Sequence, residues 1–214
     1  YVEYVSWLAN VATSCEKILQ EVRNLQRSEL SEAGEGFDVK KQVGSSTMAH
    51  KKNPIKSENA SGLARIVRSF IIPTYENALL WHERDLANSS SERFTLSHGS
   101  ALCEDVLAKT RQVLTNMWVD AERCMENIRA QRGLVMAEKV MIDLVERGIP
   151  RDEAHEILRE ASFTAVANKE ELIDVCSRTP AISAAFSAEE LEAANIFDAS
   201  SLSFNVPGFT YGEF

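Results

Sequence analysis

The chain has 214 residues, with 23 Lys and Arg against 32 Asp and Glu, for a formal net charge of −9. A hydrophobic content of 44% beside 26% charged residues is typical of a globular protein and excludes a disordered or fibrous chain. The negative charge argues against a general binder of nucleic acid or anionic membranes, and no apolar run reaches the roughly 18 residues that a spanning helix needs. Four cysteines without a C-x-x-C pair indicate reduced, packed thiols of a cytoplasmic protein, not a disulfide framework or zinc site.

The first predicted element is a long helix. Its apolar residues recur three and four apart over about five turns, which is typical of a bundle helix. They are Leu8, Val11, Cys15, Ile18, Val22 and Leu25. The chain begins without Met and inside this helical pattern, so we expect it to be a fragment of a longer protein.

A segment without periodicity follows at residues 31–53. It contains three glycines and a Gly-Ser-Ser step, and loops of this length are usually functional or disordered. It ends at Asn53-Pro54, where Asn can cap a helix and Pro suits the first helical position. The second helix is expected to kink at Pro73 and to resume as far as Trp81.

The polar stretch 82–93 predicts a break, and a further helix is expected to reach about Trp118. Asp120 can cap a short helix to about residue 127. Shorter helices are predicted over 134–147, 151–167, 169–177 and 188–195, whereas 200–214 has no pattern. No strand pattern or repeat is found. The sequence therefore predicts an all-α chain with a long-helix bundle domain over 1–128, which includes the loop 31–53, and a small helical domain over 129–214.

One candidate site is the cluster Gly44–Pro54. It places hydroxyls, two cations and an amide just before a helix N-terminus, whose N–H groups favour anions. Ser45 could be a nucleophile or base, and Lys51 and Asn53 could grip a carboxylate. A solvated lysine-rich loop with a helix cap explains the same residues equally well.

The second candidate is Trp81-His82-Glu83-Arg84-Asp85 together with Ser89 and Arg93. Two arginines nine residues apart, with hydroxyls between them, can clamp a phosphate or carboxylate. A surface ion-pair network is an equally good interpretation. Glu58, one turn into the second helix, could orient a histidine from elsewhere, although a partner of the helix dipole is the simpler reading.

The first cluster resembles the signature loop of the fumarase/aspartase superfamily, Gly-Ser-Ser-x-Met-Pro-x-Lys-x-Asn-Pro, with Ala49 in place of the usual proline. The second cluster and Ser57-Glu58-Asn59 resemble the adenylosuccinate lyase family in particular. The resemblance runs from Tyr1 to about Asn195 and covers the C-terminal half of such an enzyme. It implies an all-α fold whose long helices form the core of a homotetramer, with each site built from three subunits.

The resemblance also implies a β-elimination that splits adenylosuccinate, or the succinyl-carboxamide ribotide of purine synthesis, and releases fumarate. In that reading Ser45 is the catalytic base, and Glu58 partners a general-acid histidine that lies in the missing N-terminal half. The implied substrate-binding residues are Ser46, Lys51, Asn53, Arg84, Ser89 and Arg93. No metal or cofactor is implied, the partner is a small molecule, and the isolated chain is expected to be inactive.

Three alternatives stay open at this point. Argininosuccinate lyase and carboxymuconate cycloisomerase belong to the same superfamily, and the stretch from Arg84 to Arg93 discriminates because it suits a nucleotide monophosphate. The third alternative is a non-catalytic helical assembly protein that keeps the bundle.

Overall fold

The computed structural model describes residues 1–36, 52–82 and 84–194. The chain divides into two compact units, Tyr1–Cys124 and Met125–Phe214. In the first unit the elements are α1 (Val2–Leu25), β1 (Ala33–Gly34), α2 (Ile55–Ser69), α3 (Ile71–Glu76), α4 (Ala87–Thr95), α5 (Ser97–Asn116), β2 (Trp118–Val119) and the start of α6 (Ala121–Arg129). The second unit contains a 3-10 turn (Leu134–Met136), α7 (Ala137–Glu146), α8 (Arg151–Asn168), α9 (Leu172–Arg178), α10 (Pro180–Ser183) and α11 (Ala188–Ala194). The predicted all-α class is confirmed.

The first unit is a bundle of its three longest helices, in which α2 runs antiparallel to α1 and α5. The direction of α2 follows from two contacts: Arg68 near its end binds Glu16 of α1 at 2.6 Å, while the backbone oxygen of Lys52 before its start lies 2.8 Å from the side chain of Gln26. Tyr4 near the start of α1 bonds to Ser100 near the start of α5 at 2.8 Å. The far ends of α1 and α5 therefore lie at the same end of the bundle.

The buried face of α1 differs by one residue from the predicted seam. Leu19 is fully buried and packs with Val22, Ala60 and Val113, whereas Ile18 is 42% exposed. Both residues lie three or four positions from Cys15 and Val22, so spacing alone cannot choose between them. The position of α2 and α5 decides which one is buried.

The segment after α2 also differs from the prediction. α2 ends at Ser69, and Pro73 lies in the short separate helix α3, which ends at Glu76 and not at Trp81. A proline in this place lacks the N–H that would continue the ladder to the preceding turn, which accounts for the break. The predicted gap over 82–93 is shorter than expected because α4 already begins at Ala87.

Two short strands form an antiparallel ribbon that the sequence did not predict. Ala33 pairs with Val119 and Gly34 with Trp118. The ribbon joins the chain after α1 to the chain after α5, at one end of the bundle. Each strand has two residues, which is too short to show an alternating pattern.

The second unit has its own core, formed by residues of α7 to α11. Its largest fully buried side chains are Leu144, Leu172 and Ile182. α7 ends before Gly148, whose φ of 93° is the left-handed conformation that glycine adopts readily, and Pro150 follows as predicted. α10 was not predicted, and residues 200–214 lie outside the described residues. Within the described ranges, no helix is both long enough and apolar enough to cross a membrane.

Candidate active site

The eight predicted site residues have different outcomes. Ser45, Ser46 and Lys51 lie outside the described residues. Asn53 and Glu58 line an open groove of about 760 Å³ between the end of α1 and the start of α2. The other three residues lie in and before α4.

The part of the groove that the described residues line is polar and carries more positive than negative side chains. Among these residues, three are cations, Arg23, Arg27 and Lys52, and two are carboxylates, Glu29 and Glu58. The other described lining residues are uncharged: Gln20, Asn24, Gln26, Ser28, Asn53 and Pro54. Such a lining suits a small anionic ligand that also needs hydrogen-bond donors.

The N–H groups at the start of α2 are already occupied. The N–H groups of Lys56 and Ser57 donate to the carboxylate of Glu35 at 3.1 and 3.0 Å, and the Ser57 hydroxyl donates to it at 2.9 Å. The N–H of Glu58 donates to the oxygen of Pro54 at 2.9 Å. The start of α2 therefore already holds an anion, the Glu35 carboxylate, which the chain itself supplies.

Glu35 is the residue of this region that sequence reasoning missed. It is only 5% exposed, although a carboxylate is costly to bury without partners. Local pattern had pointed to Asn53 as the cap of α2, but Pro54 occupies the N-cap position and makes no side-chain cap bond. No short-range signal identifies a cap supplied from twenty residues upstream, and the Gly-Glu-Gly sequence at 34–36 is the only local hint.

The second cluster forms a turn between α3 and α4. The carboxylate of Asp85 accepts hydrogen bonds from the N–H groups of Trp81 at 2.9 Å and Ala87 at 2.8 Å. These two hydrogen bonds hold the pKa of the Asp85 carboxyl below its ordinary value, and the bond from Trp81 has the larger effect. His82 occupies the left-handed region, with a φ of 51°. Asp85 thus fixes the turn that carries Arg84 and starts the helix that follows.

The three predicted binding residues of this cluster differ in exposure. Arg84 and Arg93 are exposed, and Ser89 is half-buried. Ser89 and Arg93 lie within α4, one turn apart, where the sequence had predicted a break. Four residues is the spacing at which two side chains share one helix face, so both can serve one ligand.

The two candidate clusters lie at opposite ends of the bundle. α2 has fifteen residues and is about 22 Å long at 1.5 Å per residue. Asn53 and Glu58 lie at its start, whereas α3 and the turn before α4 follow its end. One chain therefore does not bring Asn53 and Glu58 together with Arg84 and Arg93.

Among the described residues, no three His, Cys, Asp or Glu side chains come together in a way that could hold a metal ion.

Comparison with known proteins gives two family matches. Residues 133–207 match the family described as adenylosuccinate lyase C-terminus, and residues 1–69 match the family described as lyase. Adenylosuccinate lyase of Archaeoglobus fulgidus is 46% identical over 191 residues, which are 89% of this chain and 43% of that protein. Adenylosuccinate lyase of Methanothermobacter thermautotrophicus is 43% identical over 192 residues, or 90% of this chain and 43% of that protein.

The chain is similar to the C-terminal part of adenylosuccinate lyases over 89–90% of its own length. The predicted resemblance is confirmed, and the chain spans less than half the length of the curated relatives that it matches.

Solved structures support the superfamily at the level of the fold. The 3-carboxy-cis,cis-muconate lactonizing enzyme of Pseudomonas putida aligns with a TM-score of 0.76 and 30% identity over 91% of this chain and 42% of that one. Fumarate lyase from Mesorhizobium sp. BNC1 aligns with a TM-score of 0.79 and 26% identity over the same shares. Both alignments extend over the bundle and the second unit.

Proposed function

We propose that this chain is the C-terminal part of an adenylosuccinate lyase, which splits adenylosuccinate into AMP and fumarate and cleaves the succinyl-carboxamide ribotide of purine synthesis in the same way. The observation that carries the proposal is the 46% identity to a relative named adenylosuccinate lyase over 89% of the chain. The same proposal assigns residues 1–128 to the bundle domain and 129–214 to a C-terminal domain.

The proposed reaction is a β-elimination. Ser45 removes a proton from the carbon next to a carboxylate, and the electron pair then displaces the purine amine, which a general acid protonates. A serine hydroxyl is a weak base near neutral pH, so it requires cations nearby in a site that excludes water. Lys51 is assigned this task.

The fumarate half of the substrate is assigned to the groove at the start of α2. Ser46, Lys51 and Asn53 hold its carboxylates in this proposal, and Glu58 orients the general-acid histidine from outside this chain. The excess of cations over carboxylates among the described residues of the groove supports a dicarboxylate ligand. These donors accelerate the reaction to the extent that they stabilise the intermediate, which carries more negative charge, more than they stabilise the substrate.

The nucleotide half is assigned to Arg84, Ser89 and Arg93, and we propose that they come from another subunit of a homotetramer. The distance between the two ends of the bundle supports this assignment, since the substrate is shorter than α2. Large exposed apolar side chains on the first unit also support an assembly, because patches of this kind mark interfaces. They include Trp7, Ile72, Tyr75, Leu79, Trp81, Leu86 and Phe94.

A substrate panel on the full-length protein tests the proposal. We expect cleavage of adenylosuccinate and no turnover of argininosuccinate or carboxymuconate, with AMP and fumarate each detected as products. Ser45→Ala should abolish turnover and leave substrate binding intact. Turnover of another panel member in place of adenylosuccinate contradicts the proposal.

One observation favours a second candidate. The lactonizing enzyme of Pseudomonas putida shares 30% identity and the fold, so a carboxymuconate cycloisomerase is the alternative that the panel must include. The cycloisomerase is the weaker candidate, because the chain has higher identity to adenylosuccinate lyases. Calorimetry tests the remaining alternative, a non-catalytic assembly protein. Such a protein should give no heat of binding with either AMP or fumarate.

A further inference from the structure

The buried carboxylate of Glu35 ties the start of α2 to a different part of the chain. It accepts hydrogen bonds from the N–H groups of Lys56 and Ser57 and from the Ser57 hydroxyl, at 2.9–3.1 Å. These two N–H groups belong to the first turn of the helix, where no intrahelical acceptor exists. Glu35 therefore fixes the turn that places Glu58 in the groove.

Gln26 extends this connection to the end of α1. Its side-chain oxygen accepts the N–H of Glu35 at 2.9 Å, and its side-chain nitrogen donates to the backbone oxygen of Lys52 at 2.8 Å. A single amide thereby joins the residue that caps α2 to the residue just before Asn53. Neighbouring Gly34 leaves the room for this contact, because a Cβ there would lie 2.8 Å from the Gln26 Cγ.

We propose that Glu35 and Gln26 are positioning residues of the lyase site, which set the places of Asn53 and Glu58. Gln26 also lines the groove, but its side-chain oxygen and nitrogen are already bonded to the backbone of Glu35 and Lys52. The inference rests on the proposed function, since it is the lyase reaction that needs Asn53 and Glu58 in register. The inference states that the hydrogen bonds of Glu35 and Gln26 affect the binding of the fumarate half of the ligand and not that of the nucleotide half. The residues assigned to the nucleotide lie at the other end of the bundle and have no bond to Gln26 or Glu35 among the described contacts.

The test compares Gln26→Met and Glu35→Gln in the full-length protein with the control Gln112→Met. Met keeps the length and helix propensity of Gln26 and removes both hydrogen bonds. In Glu35→Gln an amide N–H₂ replaces one of the two oxygens that face N–H donors. Gln112 is an exposed residue of α5 outside the groove. Gln112→Met therefore makes the same substitution but leaves the hydrogen bonds of Gln26 and Glu35 intact.

Product inhibition provides a measurement that a general loss of stability would not move selectively. A misplacement of about 1 Å in a binding group can cost on the order of a hundredfold in rate. We expect the inhibition constant of fumarate to rise about tenfold or more in both variants, with kcat falling, while that of AMP stays within about twofold. Gln112→Met should match the wild type in both constants.

The outcomes separate the inference from the proposed function. A wild type that cleaves adenylosuccinate, combined with an unchanged fumarate constant in Gln26→Met, overturns the inference alone. Equal increases for AMP and fumarate, or the same change in Gln112→Met, also overturn it. A wild type without this activity overturns the proposed function as well. If Glu35→Gln does not fold, Gln26→Met still decides, because the groups it frees are partly exposed and can bond to water.

Discussion

A close approach of the backbone at Gly36 to the end of α5 predicts a large effect of Gly36→Ala. A Cβ on Gly36 would lie 2.1 Å from the backbone oxygen of Asn116 and 3.0 Å from its carbonyl carbon. Side-chain carbons do not approach backbone oxygens to within 3.0 Å, so the chain must move by roughly 1 Å. Asn116 ends α5 just before β2, and such a shift strains the ribbon of β1 and β2.

Overpacking of this kind costs about 1–3 kcal/mol, and losing one ribbon hydrogen bond adds about 1 kcal/mol, so we expect Gly36→Ala to destabilise the protein by about 2–4 kcal/mol. Gly62→Ala is the matched control. Nothing lies within 4 Å of its added Cβ, and Ala in a helix interior is favoured over Gly by about 0.5–1 kcal/mol.

Urea denaturation of the three proteins, followed by circular dichroism and by tryptophan fluorescence, measures both changes. The midpoint should fall for Gly36→Ala and stay equal or rise for Gly62→Ala. A Gly36→Ala protein as stable as the wild type would refute the contact between residue 36 and the end of α5, and with it the ribbon geometry that positions Glu35.

Three further predictions concern single residues. Burial raises the pKa of the Cys176 thiol from 9.0 to about 11, so at pH 8 its thiolate fraction is about a hundredfold below that of an ordinary thiol. A thiol reagent should therefore label Cys176 only after the protein unfolds, and rapid labelling of Cys176 in the native protein contradicts this. The pKa of Asp85 is lowered in the folded state, so its contribution to stability is present at neutral pH and is lost as the pH falls below about 4. Asp85→Asn should lower the melting temperature at pH 7 and make the melting temperature fall less in acid. Equal falls in acid for both proteins refute the role given to the Asp85 carboxylate. Leu144 is fully buried, so Leu144→Ala should lower the free energy of unfolding, measured by denaturation, by about 2–5 kcal/mol. Ile142 is 46% exposed, so Ile142→Ala should lower it by less than about 1 kcal/mol.

Local pattern predicted the helices well where one face is continuously apolar. α1, α7 and α8 lie close to their predicted bounds, and Asp120 caps α6 as expected, accepting the N–H of Arg123 at 3.0 Å. The exchange of Ile18 for Leu19 shows the limit of this method. Two spacings fit the helix equally, and only its partners decide which residue is buried.

The candidate site was less predictable because its geometry depends on contacts between distant residues. Motif resemblance identified Asn53 and Glu58, which do line one groove. It did not identify Glu35, whose role arises when the chain after α1 meets the start of α2. Nor could it show that Arg84 and Arg93 lie at the other end of the bundle, since motifs along a sequence do not state which ends of helices meet.

The claim that the two clusters meet only between subunits can be tested by mixing two inactive variants of the full-length protein. Asn53→Ala disables one cluster and Arg93→Ala the other, so each protein alone should be inactive. After the two are denatured and refolded together, hybrid assemblies contain some sites with both clusters intact, and we predict that adenylosuccinate cleavage returns. A mixture as inactive as its components, with hybrid tetramers present by mass spectrometry, would contradict the account.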